Sequence, residues 1–222
     1  MGGLTDSIRR WYRDLPPVTG VLMLALAASF IAFFVLRLAS RDLSDTLWSW
    51  LALDPVAAWR RPWTLLTMQV LHGDAFHVLF NVLALTSLGR WVERSLGRPR
   101  FLWLLLACAL SGGLLFVAIG WPAGMAPTFG ASGTVLGVLT AFALLHPEAQ
   151  LRFWFAAPLK AKNLVWLILG IDAILVASTR GADMVPLHLG GMLAAWVYLR
   201  RPWTRAYRLR VASWYRRLRG RR

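Results

Sequence analysis

Six apolar stretches constrain this chain more than any other feature: roughly Val18 to Leu38, Leu65 to Leu88, Phe101 to Gly120, Ser132 to Leu145, Leu164 to Ser178 and Leu187 to Leu199. With 58% of its 222 residues hydrophobic and 16% charged, the chain is too apolar for an ordinary soluble domain and fits one polytopic membrane domain. The first three stretches are long enough to span a bilayer alone. The fourth and sixth are not, since at about 1.5 Å per residue each covers about 20 Å of a hydrocarbon core about 30 Å thick. Non-helical backbone at membrane depth is tolerated only where protein buries it or water reaches it. These two helices are therefore expected to start below the surface under covering loops, beside a sunken wet pocket.

A net charge of +15 would point to nucleic acid on a soluble surface, but here the basic residues fall between and after the apolar runs. Alternate connections hold 20 of the 25 Lys and Arg residues. The positive-inside rule then places both termini, the Arg90 to Arg100 loop and the Arg152 to Lys162 loop in the cytoplasm. Segments two, four and six begin on the outer side. Ala25-Leu26-Ala27 after Arg9, Arg10 and Arg13 mimics a cleavable signal, but the apolar run is longer than such signals have, so it reads as a retained anchor. The expected organisation is a cytoplasmic segment 1–17, an all-α membrane domain 18–200 and a basic tail 201–222. Trp203, Tyr207, Val211, Trp214, Tyr215 and Leu218 recur at helical spacing among the tail's arginines, as in an interfacial helix on anionic lipid. Trp48, Trp50 and Trp59 among Asp42, Asp45 and Asp54 suit a first outer loop lying in the interface.

Depth can be counted from the cytoplasmic end of each even segment. Ser132 precedes His146, His188 precedes Arg200, and His77 and Asn81 precede Arg90 by counts that give depths of roughly 21, 18, 20 and 14 Å. Polar groups inside a membrane are costly and face a cavity or one another, so their convergence on one layer marks a candidate site. Gly133 and Gly137 form a GxxxG, and Gly191 with Ala195 a small-xxx-small pair, which allow the fourth and sixth helices to approach closely. Ser132 could then meet His188, and an imidazole within reach can take the proton of a serine hydroxyl and return it to a leaving amine. His77 and Asn81, at i and i+4, can donate to one point and form an oxyanion hole with the Ser132 backbone N–H. Each residue alone is equally well read as polar glue between helices. All four together point to catalysis.

With Gly130-Ala131-Ser132-Gly133, His77-x-x-x-Asn81 preceded by His72, and His188-x-x-Gly191-x-x-x-Ala195, the chain from about Pro62 to Ala195 resembles the rhomboid family of intramembrane serine proteases. The resemblance implies a six-transmembrane-helix bundle, Ser132 as nucleophile, His188 as general base and His77 with Asn81 as oxyanion donors. It implies cleavage of a transmembrane protein near its outer end, with no metal or organic cofactor. Three positions depart from the family pattern. Trp63-Thr64 stands where many members carry Trp-Arg, although Trp59-Arg60 lies just upstream; Leu136 replaces an aromatic that packs on the imidazole, and Ala195 replaces a glycine. The soluble GxSxG hydrolase turn does not apply, because Thr134 holds its second glycine position.

His72, five residues before His77, would face about 140° away on a continuous helix and so brace the first loop. Asp172 reads as a protonated or paired carboxyl, and no third acid for a triad is evident. His146 reads as a helix end and Cys108 as packing; the single cysteine allows no disulfide within the chain. A histidine metal site is not expected, since His188 and His77 lack a companion His or acid at ligand spacing on their own helices. The expected protein is a protease of a bacterial cytoplasmic membrane, open to the outer side, whose partners are a transmembrane substrate and lipid rather than nucleic acid. Substrate would enter sideways, favoured by small or helix-breaking residues. The alternatives are a catalytically silent protein that binds and routes transmembrane helices and, more weakly, a transporter.

Overall fold

A computed structural model describes residues 14–151, 158–178 and 182–200. The basic tail 201–222 and most of the N-terminal segment 1–17 lie outside the described residues. The chain is mostly helical, and Pro17–Ala39 (α1), Ala75–Leu96 (α4) and Arg98–Ala123 (α5) are long and apolar enough to cross a membrane. Two short helices follow α1, Arg41–Leu51 (α2) and Thr64–Thr67 (α3), the latter running into a 3-10 turn at Met68–Val70. Then come Ser132–Leu145 (α6), a ribbon of Gln150–Leu151 (β1) against Leu159–Lys160 (β2), Ala161–Ser178 (α7) and Val185–Arg200 (α8).

The fourth apolar stretch and α6 coincide at both ends, but the second stretch does not survive as one helix. The chain leaves the helical region at Leu71, and Asp74, at φ −152°, restarts it by accepting a hydrogen bond from the His77 N–H at 2.9 Å. An aspartate at a helix start satisfies one of the amides that the first turn leaves free, so a polar residue inside an apolar run began a new helix. His72 therefore sits before α4 and not on it.

One end of the bundle gathers the start of α1, the end of α4, the start of α5 and the ends of α6 and α8. Glu93 near the end of α4, only 2% exposed, accepts hydrogen bonds from the backbone N–H groups of Val18 and Thr19 and from the Thr19 hydroxyl, at 3.1, 2.8 and 2.8 Å. Tyr198 donates to the Arg100 carbonyl at 3.0 Å, and Ser95 meets His146 Nε2 at 3.1 Å. The Ala161 N–H reaches the Ala149 carbonyl across the β ribbon, so α7 starts at this end too. Among the described residues α1, α4, α5, α6, α7 and α8 thus alternate in direction.

At the opposite end the first loop covers the start of α6. Leu53 and Thr128 pair their backbones in both directions at 2.9 Å, and the Gly130 N–H donates to the Met68 carbonyl at 2.9 Å. The loop is anchored without the usual Trp-Arg pair: Trp63 stacks on Trp50 at 6.2 Å and donates its indole N–H to the Trp50 carbonyl, while Arg61 lies over Trp50 at 4.3 Å and donates to the Ser49 carbonyl. Thr64 turns inward, buried, and donates to the Arg61 carbonyl at 2.6 Å.

α6 is the innermost element, with ten of its 14 residues buried. Its contacts with α8 need the absence of side chains. A Cβ on Gly133 would lie 2.6 Å from the Leu187 carbonyl oxygen, and one on Gly191 would run into the Gly133 carbonyl. The seam is wider than the α6–α8 pair expected from the sequence, because α5 joins it: a Cβ on Gly190 would lie 2.6 Å from the Ser111 carbonyl oxygen, and one on Gly112 would lie 2.9 Å from that of Leu187. Lipid-free packing of this kind depends on backbone proximity, since apolar side chains gain nothing by leaving lipid for protein.

Candidate active site

Ser132 is the first residue of α6, so its N–H belongs to the amides that a helix start leaves unpaired. His188 lies in the first turn of α8, immediately after Leu187, whose carbonyl touches Gly133. The glycine seam therefore brings the two side chains together: Ser132 Oγ lies 3.2 Å from His188 Nε2. A hydroxyl this close to an imidazole nitrogen can pass its proton to the ring, provided that the ring proton sits on Nδ1.

That condition is met by a residue whose role the sequence reading left open. Asp172 of α7 places Oδ1 3.0 Å from His188 Nδ1, and it is 3% exposed. A carboxylate accepts, so Nδ1 carries the hydrogen and Nε2 offers its lone pair to Ser132. The expectation that no third acid stands by the pair is corrected here: Ser132, His188 and Asp172 form a continuous line across α6, α8 and α7.

His77 faces the site from the start of α4. Its ring lies against Gly130, where a Cβ would come within 2.7 Å of Cε1, and Gly130 holds φ +112°, outside the range that residues with side chains readily adopt. Asn81, one turn further along α4 and buried, places its amide nitrogen 3.0 Å from His72 Nε2. The amide nitrogen can only donate, so His72 Nε2 accepts; one of the two Asn81 N–H groups is used this way and one is left. The His72 and His77 rings meet edge to face at 4.9 Å. His72 does not face away to brace the loop, as continuous helix geometry predicts; the break before Asp74 lets it fold back and hold Asn81. Gly137, also on the seam, is shielded by Cys108 and the Gly191 carbonyl.

One further contact escaped the sequence reading. Thr134, two residues after Ser132, donates to Gln69 Oε1 at 2.9 Å, tying the first turn of α6 to the segment that follows α3. No motif marks Gln69, and only the covering loop's path brings it there. No group of three or more potential metal ligands occurs among the described residues.

Residues 59–202 match the family described as Rhomboid domain. Over 135 residues the chain is 34% identical to Rhomboid protease GluP of Bacillus subtilis (strain 168), a match covering 60% of this chain and 25% of that protein. Over 189 residues it is 28% identical to Rhomboid protease GlpG of Pectobacterium atrosepticum, covering 84% of this chain and 66% of that one. The matched region thus spans a quarter of the first relative's length and just under two thirds of the second's.

Proposed function

We propose that this chain, which belongs to the rhomboid family, is an intramembrane serine protease that hydrolyses a peptide bond of a transmembrane protein. The observation that carries the reading is the 3.2 Å approach of Ser132 Oγ to His188 Nε2 at the sunken start of α6. In the first step the hydroxyl proton moves to Nε2 as Oγ bonds to the substrate carbonyl carbon. The charge that develops on the carbonyl oxygen would be met by the Ser132 N–H, the His77 ring and the free N–H of Asn81. Donors of this kind commonly contribute about 3 to 4 kcal/mol each. Protonated His188 then gives its proton to the leaving amine, and water repeats the sequence on the acyl-enzyme.

The same reading covers the surroundings. Six membrane-spanning helices are the proposed architecture, with α6, α7 and α8 completing the three longer spans. Both termini face the cytoplasm of a bacterial inner membrane, the tail 201–222 lies on anionic lipid, and the site opens outward. Cleavage of a purified transmembrane substrate tests the central claim: it should cease in Ser132→Ala, and if that variant cleaves as fast as the parent, the dyad is not catalytic. Labelling of Ser132 by a fluorophosphonate separates a protease from a silent helix-binding relative, which would bind substrate and stay unlabelled.

A further inference from the structure

α7 is a helix that mostly faces outward: Trp166, Leu167, Ile171, Ile174 and Val176 are all exposed. Asp172 lies on the inner side, where Ala161 and Leu164 are also buried, and unlike them carries the polar group least welcome at membrane depth. Its Oδ1 meets His188 Nδ1 at 3.0 Å, on the ring edge opposite Ser132, while Oδ2 is buried with no hydrogen-bond partner among the described residues. A carboxylate needed only to fasten α7 to α8 would be served as well by a neutral amide. What a carboxylate adds is a lone acceptor and a negative charge on the far side of the imidazole.

We propose that Asp172 is a positioning residue that turns the Ser132–His188 pair into a Ser-His-Asp triad. This rests on the protease reading above. By accepting the Nδ1 hydrogen, Asp172 keeps the imidazole in the tautomer whose Nε2 can receive the serine proton. It also fixes the ring plane, for which Leu136, one turn past Ser132, offers no aromatic face. When Oγ bonds to the carbonyl carbon and its proton passes to Nε2, the ring becomes a cation with two N–H groups. Asp172 stays ionised and steadies that cation until the Nε2 proton leaves with the amine. No oxidant, metal or further reactant takes part, and the third acid works through the ring without touching substrate.

The decisive variants are Asp172→Asn and Asp172→Glu in the full chain, with Ser132→Ala as the inactive reference. Asparagine keeps size and burial but can offer an N–H to Nδ1, which favours the wrong tautomer. The expected result is a kcat lower by 10² or more with KM within about twofold, a matching drop in the rate of fluorophosphonate labelling, and an unfolding midpoint close to the parent's. Glutamate should restore part of the lost kcat. Histidine-ring ¹⁵N spectra, with His188 assigned through a His188→Asn variant, should show Nδ1 protonated in the parent and Nε2 protonated in Asp172→Asn. Unchanged kcat and tautomer in Asp172→Asn would overturn the triad while leaving the protease intact. A parent that neither cleaves nor labels would overturn the protease reading, and the ¹⁵N spectra would still decide whether Asp172 sets the tautomer.

Discussion

Gly133→Ala is the substitution that most directly tests how the glycine seam makes the site. The added Cβ would lie 2.6 Å from the carbonyl oxygen and 3.1 Å from the carbonyl carbon of Leu187, both backbone atoms that no rotamer change can remove. Ordinary contact begins near 3.4 Å, so α8 must retreat by about 0.8 Å at the residue just before His188. If that shift falls along the Ser132–His188 line, the 3.2 Å contact opens to about 4.0 Å, beyond hydrogen-bond reach. Overpacking costs about 1 to 3 kcal/mol, and the better helix propensity of alanine returns about 1 kcal/mol, leaving roughly 0 to 2 kcal/mol of net destabilisation. Misplacing a catalytic group by about 1 Å can cost about 10²-fold in rate. Activity should therefore fall about 10- to 100-fold in a protein that still folds. The assay is the initial cleavage rate of a transmembrane reporter in liposomes, beside thermal unfolding in detergent. Gly170→Ala serves as the control, since a Cβ there meets nothing within 4 Å, and it should be silent or slightly stabilising. Parental cleavage and an unchanged midpoint in Gly133→Ala would refute the claim that backbone proximity sets the dyad.

Gly130→Ala should also lower activity more than stability, because φ +112° strains an alanine and its Cβ would push the His77 ring from its proposed oxyanion position; equal cleavage by parent and variant would count against His77. Glu93→Gln replaces an acceptor of three hydrogen bonds, two of them buried, with a group that turns an N–H toward at least one of their donors, so the unfolding free energy should drop by about 1 to 3 kcal/mol in a denaturant titration, with kcat little changed. Trp50→Ala removes the surface on which both Trp63 and Arg61 lie, so limited proteolysis of the first loop should quicken while the α5–α6–α8 seam stays protected from amide exchange. Lys160 and Lys162 hold the exposed Glu148 carboxyl down to about 2 from an ordinary value of 4.5. A depressed carboxyl pKa contributes stability above about 4.5 that is lost as pH falls toward about 2. Opening of the β1–β2 ribbon, measured by amide exchange corrected for intrinsic rates, should therefore rise as pH is lowered through that window in the parent and not in Glu148→Gln.

Depth along a helix was readable because 1.5 Å per residue is a fixed ruler once the ends are known. Counting places Ser132, His188, His77 and Asn81 in one layer, and the structure brings Ser132 to His188, His77 to Gly130 and Asn81 to His72. The small residues on the fourth and sixth stretches likewise announced a close contact, since they have no other use on a lipid-facing surface. The break at Gly73-Asp74 was harder to see. An apolar run can hold a cap as easily as a helical turn, and only Asp74 hinted at the restart. His72 departs from its expected direction for that reason alone: the angle of about 140° holds on a continuous helix, and His72 lies before the restart. Glu93 was missed because its partners are the backbone amides of a helix about 75 residues away, and backbone carries no sequence signature.

Asp172 marks the boundary between what a ruler can give and what it cannot. Applied to the fifth stretch, the count from Ala161 to Asp172 gives about 16 Å, close to the roughly 18 Å for His188, so the acid's depth was legible. Its direction is a different quantity, because a helix in lipid can present any face to its neighbours until packing chooses one. That choice also leaves a trace. Ala161 and Leu164 are buried and Ile168 packs against the core, and steps of three, four and four residues carry this stripe to Asp172. The stripe is short and its other members are ordinary apolar residues on an apolar helix, so hydrophobicity cannot pick it out. Only the aspartate breaks the symmetry. An ionisable group on a helix that faces mostly outward has to join its inward stripe to find a partner, and along that stripe the available one is the ring edge that Ser132 leaves free.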